Sequence, residues 1–271
     1  MRYPIACLAA AAAAVALLVP APLGADIWDV GAETDNGNLS DNAPTHGMDQ
    51  LHDLAALPGP VADEDWFRLC LPVSGSYEVI VDGLTGDLSE DASLRLDLVD
   101  SAGAVQQSAV TEGVGDQNRV LRFFSSTVGC GGPSGKWIRV SGADCGTTCG
   151  PNDRYRIRFY ETQIAVPRYN NANGQVTVLI IQNPTDYNVV SATATLWDAA
   201  GAVVTSFVSS LAPKASVVTN LASVNGGVAN GTAGTVTVGS TAGYGALAVK
   251  AVALEPATGF SFDSPGLYRP R

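Results

Sequence analysis

After its first 25 residues this sequence has no unbroken apolar stretch of the roughly 20 residues that a membrane helix needs, so no membrane span is expected there. Lysine is scarce, with three in 271 residues, and the formal net charge is −11. An acidic chain repels phosphate backbones, which excludes nucleic acid as a partner. Histidine occurs twice, as His46 and His52. Their spacing is not that of the His-Glu-x-x-His zinc helix, and neither has a suitable nucleophile beside it. Both are expected on the surface or at a sheet edge. Gly-x-Ser-x-Gly is absent, and Ser74-Gly75-Ser76 and Ser134-Gly135 read as turns. Long 3.6-residue periodicity is missing outside the first 25 residues, which argues against a helical protein.

What is present begins with a leader. Arg2 is its one basic residue, Leu8 to Val19 carry no charge, and Pro20, Pro22, Gly24 and Ala25 follow. That order is a secretory signal peptide, with cleavage expected after Ala25 and with Leu23 and Ala25 at −3 and −1. Cys7 lies ahead of the apolar core, not where a lipid-anchoring cysteine stands. The expected product is secreted, periplasmic or extracellular, with roughly 245 residues. That suits two domains of about 100–150 residues each.

Short Val/Thr/Ile-rich runs separated by Gly, Asn, Asp and Pro recur through the rest, and they predict an all-β protein. From Asp26 to Ala165 there are 22 acids against 9 Lys and Arg, a balance of −13. From Val166 to Arg271 there are 4 against 5, a balance of +1. The change of composition over Glu161 to Pro167 marks a junction, giving domains at 26–163 and 164–271. Four cysteines follow the leader: Cys70, Cys130, Cys145 and Cys149. An even number in an exported chain points to two disulfides, with three pairings open. Cys145-Gly146-Thr147-Thr148-Cys149 closes a short Gly-containing loop, which favours 145–149 and leaves Cys70 with Cys130. Zinc on four thiolates wants two tight pairs, and Cys70 and Cys130 stand alone.

In the first module, strands are expected over Asp65–Leu71, Ser76–Asp82, Leu94–Leu98, Val120–Phe124, Trp137–Val140 and Arg154–Tyr160, with a turn at Asp100–Gly103. Met48 to Leu57 fits a short helix or a strand. In the last strand Arg154, Arg156 and Arg158 share one face, so acidic partners are expected on a neighbouring strand. Asp35 to Asn42 packs carboxylates, amides and a hydroxyl around Gly37, as a calcium loop or as an Asx-rich turn. Asp35-Asn36, Asp63-Glu64-Asp65, Trp66-Phe67, Gly75-Ser76-Tyr77 and Asp153-Arg154-Tyr155 resemble, in that order, the bacterial pre-peptidase C-terminal domain. The resemblance covers roughly Glu33 to Thr162. It implies a small secreted jelly-roll-like β-sandwich, non-catalytic, in a family where some members bind calcium or an extracellular polymer. Asp35, Asn36, Asp63 and Asp65 are then the candidate calcium ligands. The family is commonly appended to proteases, and no protease domain precedes the module in this sequence; its four cysteines are also an addition.

The second module reads as about seven short strands, the pattern of an immunoglobulin-like sandwich. Val166-Pro167-Arg168, Tyr244-Gly245-Ala246-Leu247 and Gly259-Phe260-Ser261-Phe262-Asp263 resemble a recurring C-terminal module of exported bacterial proteins, and no activity follows from that. Asp63 with Asp65 is the one carboxylate pair that suits glycoside cleavage. Alternate residues at a strand entrance more often cap turns or hold a cation. The expectation is therefore a secreted, non-catalytic binding or structural protein whose partner is an extracellular polymer or protein, with a small secreted hydrolase as the alternative.

Overall fold

The computed structural model describes residues 44–54, 64–71, 74–89, 94–109, 118–125, 129–130, 135–142, 151–186, 188 and 190–271. The leader, the loop from Asp35 to Asn42, Asp63, Cys145 and Cys149 lie outside them. The described chain is all-β, as antiparallel sheets.

The first nine strands are β1 (Met48–Asp53), β2 (Glu64–Leu71), β3 (Gly75–Gly83), β4 (Leu94–Asp100), β5 (Val105–Ser108), β6 (Asn118–Ser125), β7 (Gly129–Cys130), β8 (Lys136–Gly142) and β9 (Arg154–Glu161). They form two sheets, β1-β9-β3-β6 and β5-β4-β8-β2-β7. The pairings are nested. β4 pairs β5, β3 pairs β6, β2 pairs β8 and β1 pairs β9. One long hairpin wrapped into two layers makes this pattern, the jelly roll. Met48–Asp53 resolves as strand. Its residues face the sandwich alternately, and Met48 and His52 are buried there. The core is filled by Phe67, Leu69, Val79, Leu96, Leu121, Ile138, Ile157 and their neighbours.

The second group is β10 (Ile164–Asn170), β11 (Val176–Gln182), β12 (Val190–Asp198), β13 (Val203–Leu211), β14 (Ser216–Asn220), β15 (Ala233–Ser240), β16 (Ala248–Glu255), β17 (Phe260–Pro265) and β18 (Leu267–Tyr268). Their sheets are β13-β12-β15-β10-β18 and β14-β11-β16-β17. Two packed antiparallel sheets enclose a separate core of Val166, Tyr169, Leu179, Ile181, Leu196, Val236 and others. The strand order differs from the immunoglobulin order, in which the first two strands share a sheet. Here β10 and β11 lie in opposite sheets, and the order repeats the first sandwich strand for strand. β2, β3, β4, β5, β6, β8 and β9 correspond to β10, β11, β12, β13, β14, β15 and β16. β17 takes the edge place of β1, and β18 that of β7.

The innermost hairpin shows the repetition in residues. Asp100-Ser101-Ala102-Gly103-Ala104-Val105 joins β4 to β5, and Asp198-Ala199-Ala200-Gly201-Ala202-Val203 joins β12 to β13. Asp100 Oδ1 accepts from the N–H groups of Ala102 and Ala104, each at 2.9 Å. Asp198 Oδ1 accepts from those of Ala200 and Ala202 at 2.9 and 2.8 Å. Gly103 and Gly201 have φ of +78° and +82°, which glycine adopts freely. Each hairpin shifts register beside this corner, as a bulged turn does.

Candidate functional site

β9 and β10 are separated by Thr162 and Gln163 alone. The second sandwich therefore lies against the outer face of the β1-β9-β3-β6 sheet. A row crosses that face, because Glu78 stands opposite Arg122 on β6 and opposite Tyr160 on β9. Glu78 is fully buried, and its two oxygens are both engaged. Arg122 Nε donates to Oε2 at 2.7 Å, and Arg271 Nη2 donates to Oε1. The Arg271 guanidinium is held between the rings of Tyr160 and Tyr244, 4.9 and 4.6 Å from their centroids.

The preceding residues pin the same segment. Arg269 Nη1 donates to Glu161 Oε2 at 2.6 Å, and Tyr244 Oη donates to the Arg269 carbonyl at 2.7 Å. His46 Nε2 lies 2.7 Å from the Pro270 carbonyl, and its Nδ1 accepts from the Glu161 N–H at 3.0 Å. A carbonyl only accepts, so Nε2 carries the proton.

Above this row lies a cleft of about 560 Å³. One wall is Glu78, Ile80 and Arg122; the other includes Asn188, Ser191 and the 241–246 loop, and Arg271 lines the cleft too. A smaller cleft of about 310 Å³, lined by Gln107, Ser108 and Val120, shares Arg122 and Thr241 with it. Glu78 exposes nothing, whereas the side chains of Arg122 and Arg271 are 22% and 43% exposed. The cleft thus presents guanidinium N–H groups over a covered carboxylate.

The residues singled out in the sequence lie elsewhere. Asp65 is 2% exposed on the inner face of β2, where the Tyr155 hydroxyl of the opposite sheet donates to it. Asp35, Asn36 and Asp63 lie outside the described residues. Calcium takes six to eight oxygens, and among the described residues no group of three His, Cys, Asp or Glu side chains is placed to hold a metal ion. Cys70 is disulfide-bonded, and its ladder partner across β2 and β7 is Cys130. His52 lies on the edge strand β1, one of the two places expected for it, and its ring turns inward: it is 4% exposed, stacked on Tyr155 and edge-on to Phe67. The arginine row finds acids on both flanking strands, with Arg156 on Asp49 of β1 and Arg158 on Asp82 of β3. Asp49 is held below its ordinary range chiefly by the Arg156 hydrogen bond.

Sequence reasoning missed Glu78, Arg122 and Arg271 as a set. Strands far apart in the chain bring them together, and no local spacing announces that. The usable signal was Tyr244-Gly245-Ala246-Leu247, an aromatic in a glycine-rich connection of the nearly uncharged second half. No family model matches the chain, and no curated protein or solved structure matches it.

Proposed function

We propose that this chain is an exported, non-catalytic binding protein that takes an extracellular polymer or a partner protein in the cleft between its two sandwiches. The carrying observation is that cleft. Its volume lies in the range of about 300–1,000 Å³ usual for ligand sites, and the Glu78 carboxylate in it is locked between two guanidinium groups. A buried carboxylate held by two guanidinium groups is poorly placed to reach a substrate, which favours binding over catalysis. The burial of Asp65 against Tyr155 weighs the same way against hydrolysis by Asp63 and Asp65, since a substrate needs access to both carboxylates.

Three further parts belong to this reading. The leader directs export. The first sandwich is a pre-peptidase C-terminal-type domain, which calcium stabilises through Asp35, Asn36, Asp63 and Asp65. Cys70–Cys130 and Cys145–Cys149 are its disulfides, the first favoured by their pairing in the β2–β7 register. The mature chain applied to an array of glycans and matrix proteins, with hydrolysis assayed in parallel, tests the function. Retention without cleavage is expected, and cleavage abolished by Asp65→Asn would overturn the reading. Melting in calcium and in chelator tests the ion. A higher Tm in calcium, lost in Asp35→Asn/Asp65→Asn, is expected; identical melts would refute it.

A further inference from the structure

Resting on the binding reading above, we propose that the inter-sandwich cleft and the smaller cleft joined to it form one groove for an acidic polysaccharide, with sugar carboxylates seated on Arg122 and Arg271. Three observations on the groove converge on that chemistry.

The first is charge. Among the described residues, the carboxylate and guanidinium side chains lining the larger cleft are those of Glu78, Arg122 and Arg271, and these side chains sum to +1 in a chain whose net charge is −11. Burial hides the negative member and leaves both positive members facing the groove. An arriving carboxylate therefore meets N–H donors held in place by Glu78, in the planar geometry that suits arginine and carboxylate. Gly243 lies close beside this guanidinium, since a Cβ there would sit 3.1 Å from Arg122 Nη2.

The second is the lining between the charges. Gln107, Ser108, Thr185, Asn188, Ser191 and Thr241 supply amides and hydroxyls along the walls. Such groups match the hydroxyls of a sugar chain. An acidic peptide would want apolar pockets for its alternate side chains, whereas here Ile80, Val190 and Tyr244 stand among polar groups in the lining.

The third is shape. The two clefts meet at Arg122 and Thr241, so the groove is elongated and draws on both sandwiches. A polymer lies along such a groove, while a compact metabolite would occupy one end.

The test is binding of the full mature chain to alginate oligomers, to neutral dextran and to polyglutamate, by calorimetry at low and high salt. Binding to alginate alone is expected, weakening as salt rises. Ser191 lines the groove, so Ser191→Glu should weaken alginate binding about tenfold, as one added like charge at short range does. Arg122→Gln should abolish it, and a Tm measured beside it shows whether the fold survives. Equal binding of dextran and alginate, binding of polyglutamate alone, binding of none of the three, or an unchanged Ser191→Glu variant each overturns the proposal. Cleavage of any of these polymers would instead overturn the non-catalytic reading beneath it.

Discussion

Asp97 is an acid tolerated only through its neighbours. It is fully buried on the outer face of β4, where Arg139 Nη2, Ser108 Oγ and Arg95 Nε reach it at 2.7, 2.7 and 2.8 Å. Burial alone would raise its pKa, yet these hydrogen bonds and the two guanidinium charges together hold it below its ordinary 3.8. A depressed folded value means stability that is fully present above the unfolded pKa and is lost as the pH falls through the folded one. The Tm gap between wild type and Asp97→Ala should thus be constant near neutrality and close below about pH 4. At neutral pH the substitution should cost about 3 kcal/mol, because Arg139 keeps its charge and loses its nearest carboxylate, Glu64 being 3.8 Å away; urea unfolding measures it. Tyr155→Phe is subtler. It removes the hydroxyl that donates to buried Asp65, and about 1–3 kcal/mol should go with it in the same measurement. In the sequence, Leu94–Leu98 shows its alternation and thereby its strand. That the outward-facing Asp97 is as buried as the core was not legible there, since its cover comes from β5 and β8.

At the scale of elements, the chain states its corners openly and its pairings hardly at all. Asp-x-Ala-Gly-Ala-Val can be read twice as a turn, because Asp binds its own loop and Gly supplies the positive φ. Nothing would meet a Cβ at Gly201, so Gly201→Ala isolates the backbone cost, expected at about 1–2 kcal/mol. At Gly103 a Cβ would meet the Trp66 ring at 3.4 Å, an ordinary contact. Gly103→Ala should therefore cost about the same, and a much larger loss there would mean the ring cannot be touched. The strand positions were legible for like reasons: alternation marks β3, β4, β9 and β12. The nesting was not, since β1 finds β9 across a hundred residues by core burial that no local pattern encodes. The edge strand β17 carries no clear strand signal, because Phe260–Pro265 ends in proline and leaves both phenylalanines exposed. The immunoglobulin expectation rested on strand number and spacing, which a jelly roll shares.

At the scale of the molecule, two complete cores meet through backbone rather than through bulk. Gly239 of β15 presses on β6 and β3, where a Cβ would lie 2.9 Å from Phe124 Cε2 and 3.2 Å from Ser76 Oγ. The junction is tied down beside it, with the Thr162 N–H donating to the Ser76 carbonyl at 2.8 Å and the two hydroxyls 3.0 Å apart. Arg269 to Arg271 then close the far side through Glu161, His46 and Glu78. Each sandwich has its own core, so cooperativity between them rests on this narrow contact. Arg271→Ala removes the Glu78 tie of the clasp, and Gly239→Leu drives a side chain into Phe124; neither touches a core residue. The intact chain should melt in one calorimetric transition, and the double variant in two, each with roughly half the enthalpy. Both halves should keep their strand signal in circular dichroism until their own transition. A single transition in the double variant would mean that the sheets share more than this clasp, and that the groove between them is held by the cores themselves.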